Sequence, residues 1–111
     1  MLYYNMANKK AYILERFDFF NNLYTPSNVG ISESLLIIYK NAAIMQAREL
    51  YNQYKLFKPN ILDTIDKIRN KYINNEEYFQ QLLTLHNELE LEFDNTIHAP
   101  YYNVQDIEIL K

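Results

Sequence analysis

Glycine and proline are scarce in this chain, and their scarcity limits how often the backbone can turn. The 111 residues include one glycine and three prolines. Turn-forming residues collect at residues 25–30, 58–60, 74–75 and 98–100, and the segments between them are long enough for helices. The spacing therefore predicts an all-α fold, an up-and-down bundle of three or four helices with a short extended C-terminal tail.

The spacing of apolar residues predicts four helices within one domain that covers residues 1–111. In the first segment Ile13, Phe17, Phe20 and Tyr24 recur at spacings of four, three and four, which places them on one helical face. Three further segments show comparable stripes. The predicted helices cover residues 7–24, 33–57, 60–73 and 76–94.

The helix boundaries leave two alternatives open. Asn74 and Glu77 have the spacing of a capping box, which predicts a helix start at this point. This break contains neither glycine nor proline, so residues 60–94 could also form one kinked helix. In the tail, residues 96–111, β-branched residues predict a short strand, which either pairs with residues 2–4 or wraps over the bundle as an extended arm.

The second predicted helix carries apolar residues on two sides. Its main stripe comprises Leu36, Tyr39, Ala43, Leu50, Tyr54 and Phe57. A second set points roughly the other way and would form an exposed apolar patch in a three-helix bundle. This second set is therefore the candidate surface for self-association in a homodimer, unless the last helix and the tail cover it. The set comprises Ile37, Ile38, Ile44 and Met45.

Charge is distributed unevenly along the chain, whose formal net charge is −3. Residues 1–58 carry seven basic and four acidic residues, whereas residues 59–111 carry four and ten. No basic cluster is present, so direct binding to nucleic acid is not expected, because such binding depends on Lys and Arg that neutralise phosphates.

The last predicted helix is strongly acidic near its end, where like charges lie four residues apart and the helix dipole disfavours anions. These residues are the candidate partner-binding site, for a protein that presents a basic surface. A solvated helix face is the simpler interpretation. The residues are Glu88, Glu90, Glu92 and Asp94.

An alternative function is a helix-turn-helix DNA-binding regulator that uses residues 28–40. Residues 28–36 look like the turn and early recognition helix of that motif, with Gly30 in the turn. However, Pro26 lies where the first motif helix should run, and Leu35 and Ile37 do not read base edges. A helix–helix connection with a glycine turn and a serine cap is favoured.

Histidine chemistry is limited to two residues, His86 and His98. His86 lies on an apolar helix face and, with Glu90, could act as a base, a metal ligand or a pH switch. A zinc site needs more ligands than this pair supplies, so a core histidine that is hydrogen-bonded inside the protein is favoured. No catalytic, metal or cofactor site is predicted.

The remaining features indicate a small non-enzymatic protein. Cysteine is absent, which excludes a disulfide scaffold and thiolate chemistry. The sequence shows neither a signal peptide nor a segment that could cross a bilayer, so we expect a cytoplasmic protein, of a cell or of an infected host. Abundant Asn, Ile, Tyr and Lys fit an AT-rich viral, phage or mobile-element gene. The expected function is protein–protein interaction, as an inhibitor, adaptor or structural subunit.

Overall fold

The computed structural model describes the backbone of residues 8–110 and the side chains of residues 10–108. Within this range three strands form one antiparallel sheet beside three helices, so the fold is α+β and the prediction of an all-α helical bundle is wrong. The order along the chain is β1 (Asn8–Phe20), β2 (Leu23–Ser32), α1 (Leu35–Tyr54), α2 (Ile61–Lys71), α3 (Asn75–Glu92) and β3 (Tyr101–Leu110).

A β-hairpin replaces the helix that we predicted for residues 7–24. Strands β1 and β2 are joined by Asn21 and Asn22, whose φ angles are 53° and 64°. Two consecutive residues with positive φ form the tight hairpin turn that matches the twist of the flanking strands, and asparagine adopts this conformation more readily than most residues. Phe20 and Leu23 pair across the turn, so the chain reverses where the helical interpretation required one more turn of helix.

The central strand of the sheet is β1, because the strand order is β2-β1-β3. Leu14 pairs with Val104 on β3 and with Gly30 on β2. The strand predicted in the C-terminal tail is therefore confirmed as β3, which pairs with β1. Residues 2–4, its predicted partner, lie outside the described residues.

The other three predicted helices are confirmed with slightly different ends. α1 is capped by Ser34, whose side chain accepts a hydrogen bond from the Ile37 N–H. α2 and α3 are separate helices, because Asn74 caps α3 by accepting from the Glu77 N–H at 3.1 Å. No helix in the described part of the chain is both long and apolar enough to cross a membrane.

The core lies where α1, α2 and α3 meet one another and the sheet. The predicted stripe of α1 is buried at Ala43, Leu50 and Tyr54, but Leu36 is 79% exposed and Phe57 is 58% exposed. The buried face is centred instead on Ile38, Ala42, Ala43, Gln46, Leu50 and Tyr54. Leu36 is rotated away from this face, and Phe57 lies beyond the end of the helix, so both remain in solvent.

Three side chains from the helices hold the segment that leads from α3 to β3. The Tyr54 hydroxyl donates to the carbonyl of Ile97, and the His86 ring contacts the carbonyl of Ala99. The Gln46 amide binds the backbone of Pro100 and Tyr102. Each bond satisfies a backbone group that would otherwise be buried without a partner, so the helices determine where β3 begins.

Candidate functional site

Glu90 on α3 is the centre of a cluster of polar and aromatic side chains. Its side chain is only 16% exposed. The Tyr24 hydroxyl, from β2, donates to Oε2 at 2.6 Å, and Nδ1 of His98 contacts the same oxygen at 2.8 Å. His86 Nδ1 lies 3.5 Å from the other oxygen, Oε1. One carboxylate thus connects a strand, a helix and the segment before β3.

The second histidine of the cluster is buried, as the sequence predicted. His86 is 2% exposed, and its Nε2 lies 2.8 Å from the carbonyl oxygen of Ala99. A carbonyl oxygen can only accept, so Nε2 carries the proton and donates. The ring therefore fixes the backbone of the segment before β3 and presents Nδ1 to Glu90.

Aromatic rings pack around this carboxylate and attach the distal end of the hairpin to the rest of the fold. Phe19 stacks on the His98 ring with the centroids 3.7 Å apart. Phe17 stacks on Tyr101 at 4.7 Å, and Tyr24 meets Tyr101 edge to face at 4.9 Å. Offset and edge-to-face pairs of this kind stabilise beyond the area that they bury.

A cavity of about 430 Å³ opens beside the cluster and is bordered by Tyr24, Leu83, His86, Asn87, Glu90 and Tyr101. Glu90 already accepts two short hydrogen bonds on one oxygen. Among the described residues no group of three histidine or carboxylate side chains could hold a metal ion. The geometry of the cluster is that of a structural anchor between the hairpin and α3.

The electrostatics of the cluster favour the ionised form of Glu90. Burial raises the pKa of this carboxyl, but hydrogen bonds from Tyr24 and His98 and the charges of the two histidines outweigh it, so the net shift is downward. Burial and the hydrogen bond to Glu90 raise the pKa of Tyr24 far above its ordinary value. The tyrosine therefore stays protonated and continues to donate.

Acidification should weaken this anchor. Because the folded-state pKa of Glu90 lies below its ordinary value of about 4.5, its contribution to stability is complete above that value and is lost as the pH falls through the folded-state pKa. We expect the unfolding free energy, measured with urea, to fall less steeply below about pH 4.5 in Glu90→Gln than in the wild type. The matched control Glu88→Gln, on an exposed position of the same helix, should keep the wild-type slope; equal slopes in all three proteins would contradict the anchor.

The structure divides the four predicted partner-binding residues. Glu90 is turned into the cluster, whereas Glu88 and Glu92 are exposed, and Lys58 lies 3.1 Å from Glu92. Asp94 lies beyond the end of α3 at a positive φ of 53°. A role for Glu88, Glu92 and Asp94 in binding a basic partner stays a prediction.

The self-association set is also divided. Ile38 is 1% exposed and belongs to the core, and Met45 packs against the core from a half-buried position. Ile37 and Ile44 are 52% and 46% exposed. Only these last two side chains are available to another molecule.

An exposed apolar line runs along the outer side of α1 and comprises Ile37, Ile44 and Tyr51; we call it the α1 stripe. Tyr51 is 38% exposed. The three residues are seven positions apart, so each lies about 10.5 Å along the helix from the last and on nearly the same side. Tyr51 is absent from the predicted self-association set, although its spacing of seven from Ile44 places it on the same side of the helix.

Three cations lie beside the α1 stripe. Lys40 and Arg48 are exposed on the same helix, and the Lys55 ammonium lies 5.5 Å from the centre of the Tyr51 ring. Glu49 is the single acidic residue of α1, and its carboxylate binds Arg16 on β1 at 2.8 Å. The outer side of α1 is therefore an apolar line bordered by cations.

Two hollows flank Ile44. One has a volume of about 310 Å³ and lies toward β2, where Val29, Ile31 and Arg48 contribute to its wall. The other has a volume of about 390 Å³ and lies toward α2 and α3, where Lys40 and Arg69 contribute. Ile44 thus separates two depressions, and side chains of another molecule can pack into them.

The residues of the proposed helix-turn-helix are arranged differently from that motif. Residues 28–32 belong to β2, so a strand, not a helix, precedes α1.

Comparison with known proteins adds no functional information: the sequence matches no protein-family model, and no similar chain is found among curated proteins or solved structures. The geometry of the chain itself is therefore the basis for the functional conclusions.

Proposed function

We propose that this chain is a non-enzymatic protein-interaction module that acts in the cytoplasm and binds a different protein through the α1 stripe. The observation that carries the proposal is the regular exposure of Ile37, Ile44 and Tyr51 on a helix whose opposite face is fully buried. Apolar residues that line one exposed helix face are typical of protein-interaction surfaces, and aromatic residues are enriched at interfaces.

The positive border of the stripe favours a different protein over a second copy of this chain. In a two-fold symmetric contact the same surface faces itself. Lys40 and Arg48 of one α1 would then lie near the same cations of the other α1. Like charges in an interface oppose association, so a partner with negative charge fits this surface better.

The test is site-specific photo-cross-linking in cells that express the chain. A photoreactive amino acid at position 37, 44 or 51 should give the same cross-linked product, whereas positions 62 and 73, which are exposed elsewhere, should not give it. A product from every position, or from none, would contradict the proposal. A product of twice the chain's own mass would identify a second copy as the partner and contradict the charge argument.

A double variant separates binding from folding. We expect Ile37→Asp with Ile44→Asp to remain folded, with an unfolding free energy within about 0.5 kcal/mol of the wild type per site, because both side chains are exposed. The same variant should lose the cross-link from position 51. The matched control Ile38→Asp places a carboxylate in the core and should unfold the protein; a double variant that unfolds as well would place the stripe inside the core.

A further inference from the structure

The hollow between α1, α2 and α3 contains the guanidinium of Arg69, one nitrogen of which makes no hydrogen bond to the described residues. Its wall includes Lys40, Ile44, Ala47, Arg69, Asn75 and Tyr78. The Arg69 guanidinium lies over the Tyr78 ring, 4.5 Å from its centre. Nη1 of Arg69 is buried and has no hydrogen-bond partner in the described part of the chain. A buried donor of a charged group is costly to leave unpaired, so an acceptor supplied by another molecule would be stabilising at this guanidinium.

Arg69 shares the hollow with a second cation, Lys40. Lys40 reaches the same hollow from α1, and neither cation forms an ion pair with a carboxylate among the described residues. Asn75 is the first residue of α3, whose first turn also carries Glu76 and Glu77, so the cations of the hollow are Arg69 and Lys40 and not the end of this helix. Asp66 on α2 acts on Tyr78 electrostatically but makes no hydrogen bond to Nη1 of Arg69.

The rest of the hollow is small and apolar. Ala43 and Ala47 from α1 and the Tyr78 ring provide much of its surface, and Ile44 forms the ridge that connects it to the α1 stripe. A guanidinium donates two parallel hydrogen bonds to a planar carboxylate. An acidic side chain that follows an apolar residue can therefore place its carboxylate on Arg69 while the apolar residue packs on Ile44.

We propose that this hollow binds the carboxylate of a glutamate or aspartate side chain carried by the partner protein. The inference rests on the proposed function, because it names the chemistry of the partner that the α1 stripe recognises. It commits to an acidic protein segment, in which the carboxylate binds Arg69 and Lys40 and the neighbouring apolar side chain packs on Ile44.

The test uses small probes and the folded wild-type chain. In an NMR titration, N-acetyl-Leu-Glu-amide should shift the side-chain Nε–Hε signal of Arg69 in a saturable way, with a dissociation constant of about 1–10 mM. N-acetyl-Leu-Gln-amide, which lacks the charge, should bind at least about tenfold more weakly. Equal binding of the two peptides would overturn the proposal, and tighter binding of inorganic phosphate would show a phosphate site in its place.

Variants of the cations identify the binding atoms. Arg69→Gln should weaken the Leu-Glu probe at least about tenfold, and Arg69→Lys, which keeps the charge but loses the paired donors, by about threefold. The matched control Lys67→Gln, an exposed cation on the same helix as Arg69 that does not border the hollow, should bind as the wild type does. If Arg69→Gln is unfolded, Arg69→Lys decides: wild-type affinity in that variant would overturn the paired contact.

The titration and the cross-linking experiment fail independently. Saturable binding at Arg69 without a cross-link from the α1 stripe would support the carboxylate site and reject the proposed function. Cross-links from the stripe without a response of Arg69 to the Leu-Glu probe would support the interaction module and reject an acidic segment as the group that it recognises.

Discussion

Replacement of Gln46 by leucine should lower the free energy of unfolding by about 3 kcal/mol. Gln46 is completely buried, and its side chain binds the backbone at two points. Nε2 donates to the carbonyl of Pro100 at 3.1 Å, and Oε1 accepts from the N–H of Tyr102 at 2.9 Å. Leucine fills a similar volume but leaves both backbone groups unpaired, and each unpaired buried group costs about 1–3 kcal/mol.

Urea unfolding monitored by circular dichroism measures this loss, and the same helix provides the control. Gln53 is exposed on α1, so Gln53→Leu should change stability by no more than about 0.5 kcal/mol. If Gln46→Leu is as stable as Gln53→Leu, then the two hydrogen bonds do not hold β3 in place.

Replacement of Leu50 by alanine should destabilise the protein by about 2–5 kcal/mol, because it removes buried methyl groups and leaves a cavity. Leu50 is completely buried in the core on α1. Leu56, shortly after the end of the same helix, is 82% exposed, so Leu56→Ala should leave the urea midpoint nearly unchanged. Similar midpoints for the two variants would mean that the core face of α1 is assigned wrongly.

The helices could be predicted from the sequence because each depends on residues close to one another. The Asn74 cap and the Glu77 N–H that it accepts from are three residues apart, and the apolar spacing within α1, α2 and α3 is that of a helix. The cap and the apolar spacing of each helix lie within one segment of the sequence. The predicted ends of these three helices therefore differ from the observed ends by only a few residues.

The helix predicted for residues 7–24 is wrong because the apolar residues there fit both the period of a helix and the period of a strand. Apolar residues at 13, 17, 20 and 24 fit a helix, but the alternation of Arg16, Phe17, Asp18 and Phe19 fits a strand equally well. The decisive residues are Asn21 and Asn22, which form the turn and lie inside the helix predicted for residues 7–24. Pro26 belongs to the predicted break at residues 25–30, but an edge strand such as β2 tolerates proline.

The functional surfaces depend on contacts that no single segment contains. Glu90 points inward, where its carboxylate accepts a hydrogen bond from Tyr24 on β2, far away in the sequence. No residue close to Glu90 in the sequence predicts this contact. Arg69 on α2 is likewise positioned by a distant residue, because its guanidinium lies over the ring of Tyr78 on α3. By contrast, Ile37 and Ile44 belong to the set predicted to face another chain, and both are exposed, whereas Ile38 of the same set is buried.

The central position of β1 has a consequence for how the protein is made. The register joins residue 8 to residue 110 and residue 17 to residue 101, so β1 is synthesised well before the strand that covers this edge. Until β3 is synthesised, β1 has an open edge that can pair with other chains. Pairing across such long stretches of chain also slows folding relative to a helical bundle, so β1 remains open to pairing with other chains until β3 has joined the sheet.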